Sequence, residues 1–520
     1  MSFSEKDLNQ IQAKGLTVEV VERQLENFQT GFPFVNIAKP ATLQDGISPL
    51  DMDSAEEYAE IFEKKCRNLR LTKFTPASGA ATRMFKHLFE YFYVDSSKPL
   101  TKLQHQFFES LSSFAFYPRL KSVLEKNSLS LEKLLENKEY HKILGFVLFD
   151  QGLNYGQMPK GLIEFHVNSG QSRTSLEEHF REGAAYACGA NREVNLHFTV
   201  SPEHKSLFTQ NNEEIKIRLE KELNVHFNIS FSIQKESTDT IAVEDNLSPF
   251  RDENGSLLFR PGGHGALIEN LNDIRSDLIF IKNIDNVCVD ELKPITVLYK
   301  KAIAGLLLDY ERKIHNYLDL LELDSIHESF IEQINAFVED NLCVLPYDRP
   351  ANKEEHVYWL KQKLNRPIRV CGMVRNEGKP GGGPFWTIND DHSISLQIVE
   401  QAQINTENPV KKEMLENSTH FNPVDIVCST KDYKGNHFDL RKFIDHKAGF
   451  ITRKTKAGRS IIAQEKPGLW NGAMSNWNTI FVEVPIETFN PVKNVNDLLN
   501  SAHQKENSST STVFYDVKWG

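Results

Sequence analysis

The sequence predicts an α/β protein, a Rossmann-like mixed sheet flanked by helices, with an N-terminal helical arm and a smaller C-terminal lobe. Three observations carry this. Short apolar runs of strand type alternate with amphipathic stretches of helix type from about 69 to 284. Small-residue or glycine loops follow several of those runs, as loops at the carboxyl ends of sheet strands do. From about 346 onward the texture changes to glycine loops and aromatics, such as Gly381-Gly382-Gly383-Pro384-Phe385-Trp386 and Pro467-Gly468-Leu469-Trp470-Asn471-Gly472.

In chain order, residues 4–28 read as helix: Ser4 with Asp7 has capping spacing, and Val18, Val21, Leu25 and Phe28 share one face. A second helix is expected from Ser54 to Arg67, and together these make up an arm over 1–60. Leu69 to Thr75 reads as a strand. The loop Pro76 to Ala81 leads to a helix whose apolar face is Met84, Phe85, Leu88, Phe89 and Phe92. A helical insertion precedes the apolar run Ile143 to Phe149. Thr174 to Ala187 is expected to be a helix, with Ser175 and Glu178 spaced as a capping box. Val194, Leu196, Phe198 and Val200 alternate as a half-buried strand, and Pro202 opens a further helix. Phe227, Ile229, Phe231 and Ile233 alternate again, and Leu278 to Ile284 fits a buried central strand. The expected divisions are the arm, a catalytic lobe over 61–345, a second lobe over 346–500, and a polar linker and tail over 501–520, with Lys505 to Thr512 its low-complexity part.

With 520 residues, 40% of them hydrophobic and 25% charged, the chain is long enough for roughly three domains or one large two-lobed unit. Lys and Arg total 60 against 71 for Asp and Glu, a net charge of -11, which argues against a general nucleic-acid binder. A phosphate ligand would have to be captured locally, by a loop, a few cations and a metal. The six scattered cysteines include no Cys-x-x-Cys and fit a reducing compartment. The polar start and the lack of a long apolar span lead us to expect a cytoplasmic protein with no membrane partner.

Four loops carry candidate chemistry. In Ala77-Ser78-Gly79-Ala80-Ala81-Thr82-Arg83, small residues after a strand would let backbone N–H groups approach a phosphate at a helix start, with Arg83 as a clamp; a tight strand-to-helix turn is the competing reading. Lys160, between Pro159 and Gly161, offers a point charge on a stiffened loop, or is simply an exposed lysine in a turn. The Gly262-Gly263-His264-Gly265 loop would let backbone approach a ring or phosphate, or only supplies positive φ. Asp285-Asn286, after the buried strand, suits Mg²⁺, which takes one or two carboxylates plus phosphate oxygens; an Asx turn is the alternative.

In this order the four loops resemble those of UDP-sugar pyrophosphorylases. Gly79, Thr82 and Arg83 resemble that family's glycine-rich nucleotide loop, with Ser78 and Ala81 where it has glycine. Lys160 and Gly161 resemble its Pro-Lys-Gly element, Gly263 to Gly265 its loop at the uracil and ribose, and Asp285 its metal-binding acid. The resemblance covers about 75–290 and implies a GT-A-like nucleotidyltransferase fold. Over its whole length the chain also resembles an uncharacterised bacterial family known only as domain of unknown function 4301, which supplies no activity.

The resemblance implies a nucleotidyltransferase that joins a nucleoside triphosphate, UTP first, to a sugar 1-phosphate and releases pyrophosphate, with Mg²⁺ as cofactor. Arg83 and Lys160 would act on phosphates, Ala77, Ser78, Gly79, Thr82 and Gly263 to Gly265 would bind nucleotide, and Asp285 would hold the metal. Asn376, Glu377, Gly382, Lys454 and Asn471 are candidates for the sugar phosphate, with Trp470, Trp477, Lys431 and Lys447 as others. A nucleotide-sugar-dependent glycosyltransferase and a non-catalytic nucleotide or sugar-phosphate binding protein are the alternatives. Asp51-Met52-Asp53 reads as helix capping, and His437-Phe438-Asp439 and Asp445-His446 lack a third ligand at metal spacing.

Overall fold

A computed structural model describes residues 3–93, 99–350, 352–378, 381–421, 425–456 and 459–504. The predicted linker and tail from Lys505 onward lie outside them. The chain packs as two units, each assembled from three stretches: Met1–Lys65, Ser232–Ile281 and Ala302–Val484 in the first; Cys66–Phe231, Lys282–Lys301 and Pro485–Gly520 in the second. The boundaries read at 60, 345 and 500 follow the order of the chain, whereas the packed units do not.

In the first unit, six neighbouring strands form a large mixed sheet in the order Thr42–Leu43, Gly46–Ser48, Asn478–Glu483, Ile368–Met373, Asp425–Ser429, Leu278–Lys282. Asn478–Glu483 and Ile368–Met373 run parallel, and Ile368–Met373 and Asp425–Ser429 antiparallel. Val370, Cys371, Val427, Cys428, Ile480 and Phe481 are all buried, as a sheet covered on both faces requires. Helices such as Met52–Cys66, Glu328–Ala336 and Lys353–Leu364 accompany it. At Gly305 the packing is so close that a Cβ would stand 1.8 Å from the Tyr58 carbonyl oxygen. Two smaller antiparallel sheets complete the unit. One pairs Ile37–Pro40, Gly383–Ile388 and Ile394–Val399; the other orders Phe259–Arg260, Thr240–Val243, Arg459–Glu465 and Phe450–Lys456.

The N-terminal segment docks on the second of these sheets. It forms two helices, Glu5–Ala13 and Val18–Thr30, instead of one. Gly15 at φ 70° turns the chain, and Thr17 caps the second helix. Ser4 and Asp7 make the expected capping box. Ile11, Val21, Leu25 and Phe28 pack with Ile241, Val243, Leu257 and Ile462. Arg251 clamps the buried Asp7 carboxylate at 2.7 and 2.9 Å and holds its pKa well below the usual range.

In the second unit, Leu71–Pro76 and Glu193–Thr199 pair in parallel and His226–Ser232 follows in the order. Helices Ser175–Tyr186 and Lys205–Leu223 cover them through Leu176, Phe180, Phe208 and Leu219. The helical insertion has its own core around Phe85, Phe107, Phe114, Phe116 and Leu144, which Val495 and Leu498 join. Four details differ from the sequence reading. Residues 81–83 form a 3-10 turn, and the α-helix starts only at Lys86. The apolar run Ile143 to Phe149 lies mostly in the helix Tyr140–Leu148. The cap of Ser175–Tyr186 is Thr174, bonded to the Glu177 N–H, because Ser175 turns inward to the Ile284 carbonyl. Pro202 opens a 3-10 turn that precedes Lys205–Leu223.

Beneath these strands lies a buried charge cluster. Glu182 receives Lys73 at 2.8 Å and Lys282 at 2.9 Å, all three side chains at 1% exposure or less. Burial pushes Lys73 down to about 7 against the pull of Glu182, while the two lysines overcome burial to keep Glu182 well below its ordinary value. Removing one partner of such a cluster leaves an uncompensated buried charge. Glu182→Gln is therefore expected to destabilise the chain by about 3–5 kcal/mol, read as a lower urea midpoint with an unchanged slope.

Candidate functional site

In the second unit three loops meet at the ends of the strands. Ala77 leaves Leu71–Pro76 with its N–H on the Thr199 carbonyl at 2.8 Å. Ala80 then bridges to Pro159, the Ala81 N–H bonds Met158 O at 3.0 Å, and the Lys160 N–H bonds Gly79 O at 3.1 Å. The small-residue loop and the Pro-Lys-Gly loop are thus stitched together through backbone. Ser78, Gly79, Thr82 and Arg83 are exposed. Among the described residues, beyond Gly79 and its two chain neighbours, no atom lies within 4 Å of where a Gly79 Cβ would stand, so packing does not demand this glycine. Ala81 is fully buried among Met84, Phe85 and Leu88, so its methyl points into the core and away from the exposed loop. Gly161 is a packing glycine: a Cβ there would lie 3.0 Å from the Phe208 ring. Because residues 81–83 form a 3-10 turn and the α-helix begins only at Lys86, the loop does not lead directly into the expected α-helix N-terminus.

The third loop carries Asp285. The chain leaves Leu278–Lys282, and Ile284 is tied by its N–H to Pro76 O at 3.3 Å and by its carbonyl to Ser175 Oγ and His179 Nε2. Asp285 is buried, and its Oδ2 accepts from Lys160 Nζ at 2.9 Å and lies 3.5 Å from Lys493 Nζ. Burial would raise this carboxyl, but the two ammonium groups bring it below its ordinary value. Lys160 Nζ also bonds Val492 O at 2.8 Å, and Val492 N–H returns to Asp285 O at 3.1 Å. The buried Asn286 side chain accepts the Asn490 N–H at 2.8 Å, which holds the 490–493 strap in place. Arg83, Lys160, Lys493 and Asp285 thus belong to one unit, on loops joined or adjacent to one another.

In the first unit a separate cluster forms around His264. Leu469 N–H donates to His264 Nδ1 at 3.1 Å, which places the ring proton on Nε2, 3.6 Å from Glu400 Oε1. The His264 ring stacks on Trp470 with centroids 5.0 Å apart. Asn471 is buried and donates to Glu400 Oε1 at 2.5 Å, and its Oδ1 has no hydrogen-bond partner among the described residues. Gly263 sits at φ 79° and Glu465 is beside it; Lys454 pairs with Glu465 at 2.6 Å. The other glycines of these motifs serve packing: a Cβ on Gly265 would stand 2.0 Å from Pro467 O, and one on Gly382 2.2 Å from Val399 O. Asn376 turns on itself, its Oδ1 accepting the Gly378 N–H at 3.0 Å, and Glu377 is exposed.

A family model described as a domain of unknown function (DUF4301) matches residues 4–504. The chain belongs to the DUF4301 family. Among solved structures, a UDP-glucose phosphorylase from Trypanosoma brucei shares 15% identity over 96% of this chain and 80% of its own, with a TM-score of 0.44. A uridine diphosphate N-acetylglucosamine pyrophosphorylase from the same organism shares 12% over 96% and 78%, with a TM-score of 0.49. A UDP-glucose pyrophosphorylase from Leishmania major shares 12% over 96% and 79%, with a TM-score of 0.43. No curated protein matches.

The sequence reading of this DUF4301 chain missed two residues that the structure adds. Lys493 reaches Asp285 from 208 positions away, and its only local signal is the stiffened Pro491-Val492-Lys493 run. Glu400, 71 positions from Asn471, closes a strand and carries no signal of its own. Among the described residues no helix is long and apolar enough to cross a membrane, and no group of three His, Cys, Asp or Glu could hold a metal. Lys431 and Lys447, weighed for a sugar phosphate, pair with Asp277 and Asp390. Asp51 caps its helix through the Ser54 N–H at 2.9 Å.

Because its folded pKa is lowered, the Asp285 carboxylate contributes stability above the unfolded value and loses it as pH falls through the folded one. Asp285→Asn should therefore be less stable than the parent at neutral pH. The gap should narrow below the ordinary value of 3.8, as measured by urea unfolding from pH 7 downward.

Proposed function

We propose that the chain is a nucleotidyltransferase that joins UTP to a sugar 1-phosphate and releases pyrophosphate. One observation carries the reading: Lys160 and Lys493 converge on Asp285 beside the small-residue loop whose 78–80 stretch is exposed. A cluster of two ammonium groups and one carboxylate at strand ends suits a metal-bound polyphosphate. The order of the four loops, with its resemblance to UDP-sugar pyrophosphorylases, supports the same assignment.

The residues fit Mg²⁺ of the kind that arrives with a nucleotide. Asp285 supplies a single carboxylate, and phosphate oxygens and water complete such a shell. When bound there, Mg²⁺ supplies charge neutralisation of the triphosphate. Lys160 and Lys493 exchange part of their hold on Asp285 for phosphate oxygens, the 78–80 backbone donates to the phosphates, and Arg83 adds a fork of N–H donors. The attacking oxygen of a sugar 1-phosphate is ionised near neutral pH, so the chain needs no general base; it holds the two phosphates in line and stabilises the charge that spreads over them. In the first unit, His264, Glu400 and Asn471 offer an Nε2–H donor, a carboxylate and a buried carboxamide oxygen with no partner among the described residues, groups that suit hydroxyl recognition.

Incubation with UTP, Mg²⁺ and a panel of sugar 1-phosphates should release pyrophosphate. Lys160→Met and Lys493→Met should each lower the rate by about 100-fold or more while the chain stays folded by circular dichroism. Thermal stabilisation by UTP without pyrophosphate would instead make the chain a nucleotide-binding protein, and no response to any nucleotide would remove the reading.

A further inference from the structure

We propose that a cavity of about 680 Å³ in the first unit is a binding site for an uncharged, polyhydroxylated ligand of saccharide size. It lies between the hairpin of Gly383–Ile388 and Ile394–Val399 and the 444–448 segment. Its size falls within the range of ligand pockets. Asn478, the first residue of Asn478–Glu483, lines it, as does Arg366, two residues before Ile368–Met373. The cavity therefore sits at the amino ends of two parallel strands, not at the carboxyl ends where α/β sheets usually hold substrate. None of His264, Glu400 and Asn471 lines it, and the inference does not depend on the nucleotidyltransfer reading.

The charged groups of the wall balance in number. It carries three cations, Lys363, Arg366 and Lys447, and three carboxylates, Asp390, Asp391 and Asp445. Lys363 is already paired with Asp391 at 2.6 Å and Lys447 with Asp390 at 2.8 Å. Burial holds the His446 imidazole below its ordinary value, so it adds no charge near neutrality. A phosphate or carboxylate would have to displace a partner from each lysine, whereas a hydroxyl would not.

Three of the lining residues also carry buried polar atoms with no hydrogen-bond partner among the described residues. Among the described residues, Trp477 Nε1, a donor, and Gln397 Oε1, an acceptor, have no hydrogen-bond partner, on residues that are 4% and 7% exposed. Ser475 Oγ, which can act either way, is in the same condition. Buried polar groups are nearly always partnered, and a hydroxyl both donates and accepts. The Arg366 side chain donates from Nε to Gln362 O at 2.7 Å and makes no other hydrogen bond among the described residues. Phe34, 56% exposed on the wall, provides an aromatic face for the C–H surface of a sugar ring. Balanced charges, two lysines already paired, unpartnered polar atoms and one exposed ring together fit a polyol.

Saturation-transfer NMR and calorimetry on the full chain test this, with glucose, N-acetylglucosamine and trehalose as neutral probes and inorganic phosphate and glucose 6-phosphate as charged ones. Saturable binding of a neutral probe is expected, weakened at least tenfold in Arg366→Gln and Trp477→Phe and retained in Asp285→Asn and Glu400→Gln. Arg366→Gln keeps the test valid if Trp477→Phe melts early. Absence of saturable binding by every neutral probe, preference for the charged probes, or loss of binding in Glu400→Gln but not in Arg366→Gln would each overturn the proposal.

Discussion

The second unit turns on one buried carboxylate. Asp285 leaves the end of a central strand with little access to water, and a lone charge there would be costly. Two lysines from distant loops remove that cost and in doing so fix where those loops lie. Lys160 brings with it the backbone bridge to Gly79 and Ala80, and Lys493 brings the strap whose Val492 is bonded to both Asp285 and Lys160. The same contacts that pay for burial thus assemble the proposed phosphate site. This is why its residues can be dispersed in sequence and still share one place.

The first unit shows the same economy at Glu400, which receives Asn471 and faces the Nε2 side of His264. In both units the carboxylate is held by donors distant from it in sequence, and the surrounding glycines mostly answer to packing. Gly265 and Gly382 each abut a carbonyl at a distance no Cβ tolerates, and Gly161 sits tightly against the Phe208 ring. Gly79 is the exception, with open surroundings. Among the glycines of the four motifs it is the one whose choice packing leaves unexplained, and it sits in the loop assigned to phosphate.

Much of the fold was legible because burial leaves a periodic trace. The alternation Val194, Leu196, Phe198, Val200 and the solid apolar run from Leu278 marked two strands within a residue or two of where they lie. The capping pair Ser4 and Asp7 marked a helix start. The errors are local competitions. Gly15 and Thr17 break a helix that periodicity would have carried through, and Ser175 abandons the cap to Thr174 because a carbonyl across the core, Ile284 O, takes its hydroxyl.

By itself the sequence determined the α/β class, the order of the loops and which loops carry Lys160 and Asp285, two charged groups of the proposed phosphate site, because those depend on residue type and spacing along the chain. The tertiary structure alone decided which lysines stand at Asp285, that Glu400 belongs with His264 and Asn471, and that the packed units interleave along the chain. Those are contacts between residues from 71 to 208 positions apart. Their energy comes from neutralising and hydrogen-bonding groups that burial has stripped of water, and no local pattern records which distant partner performs that task.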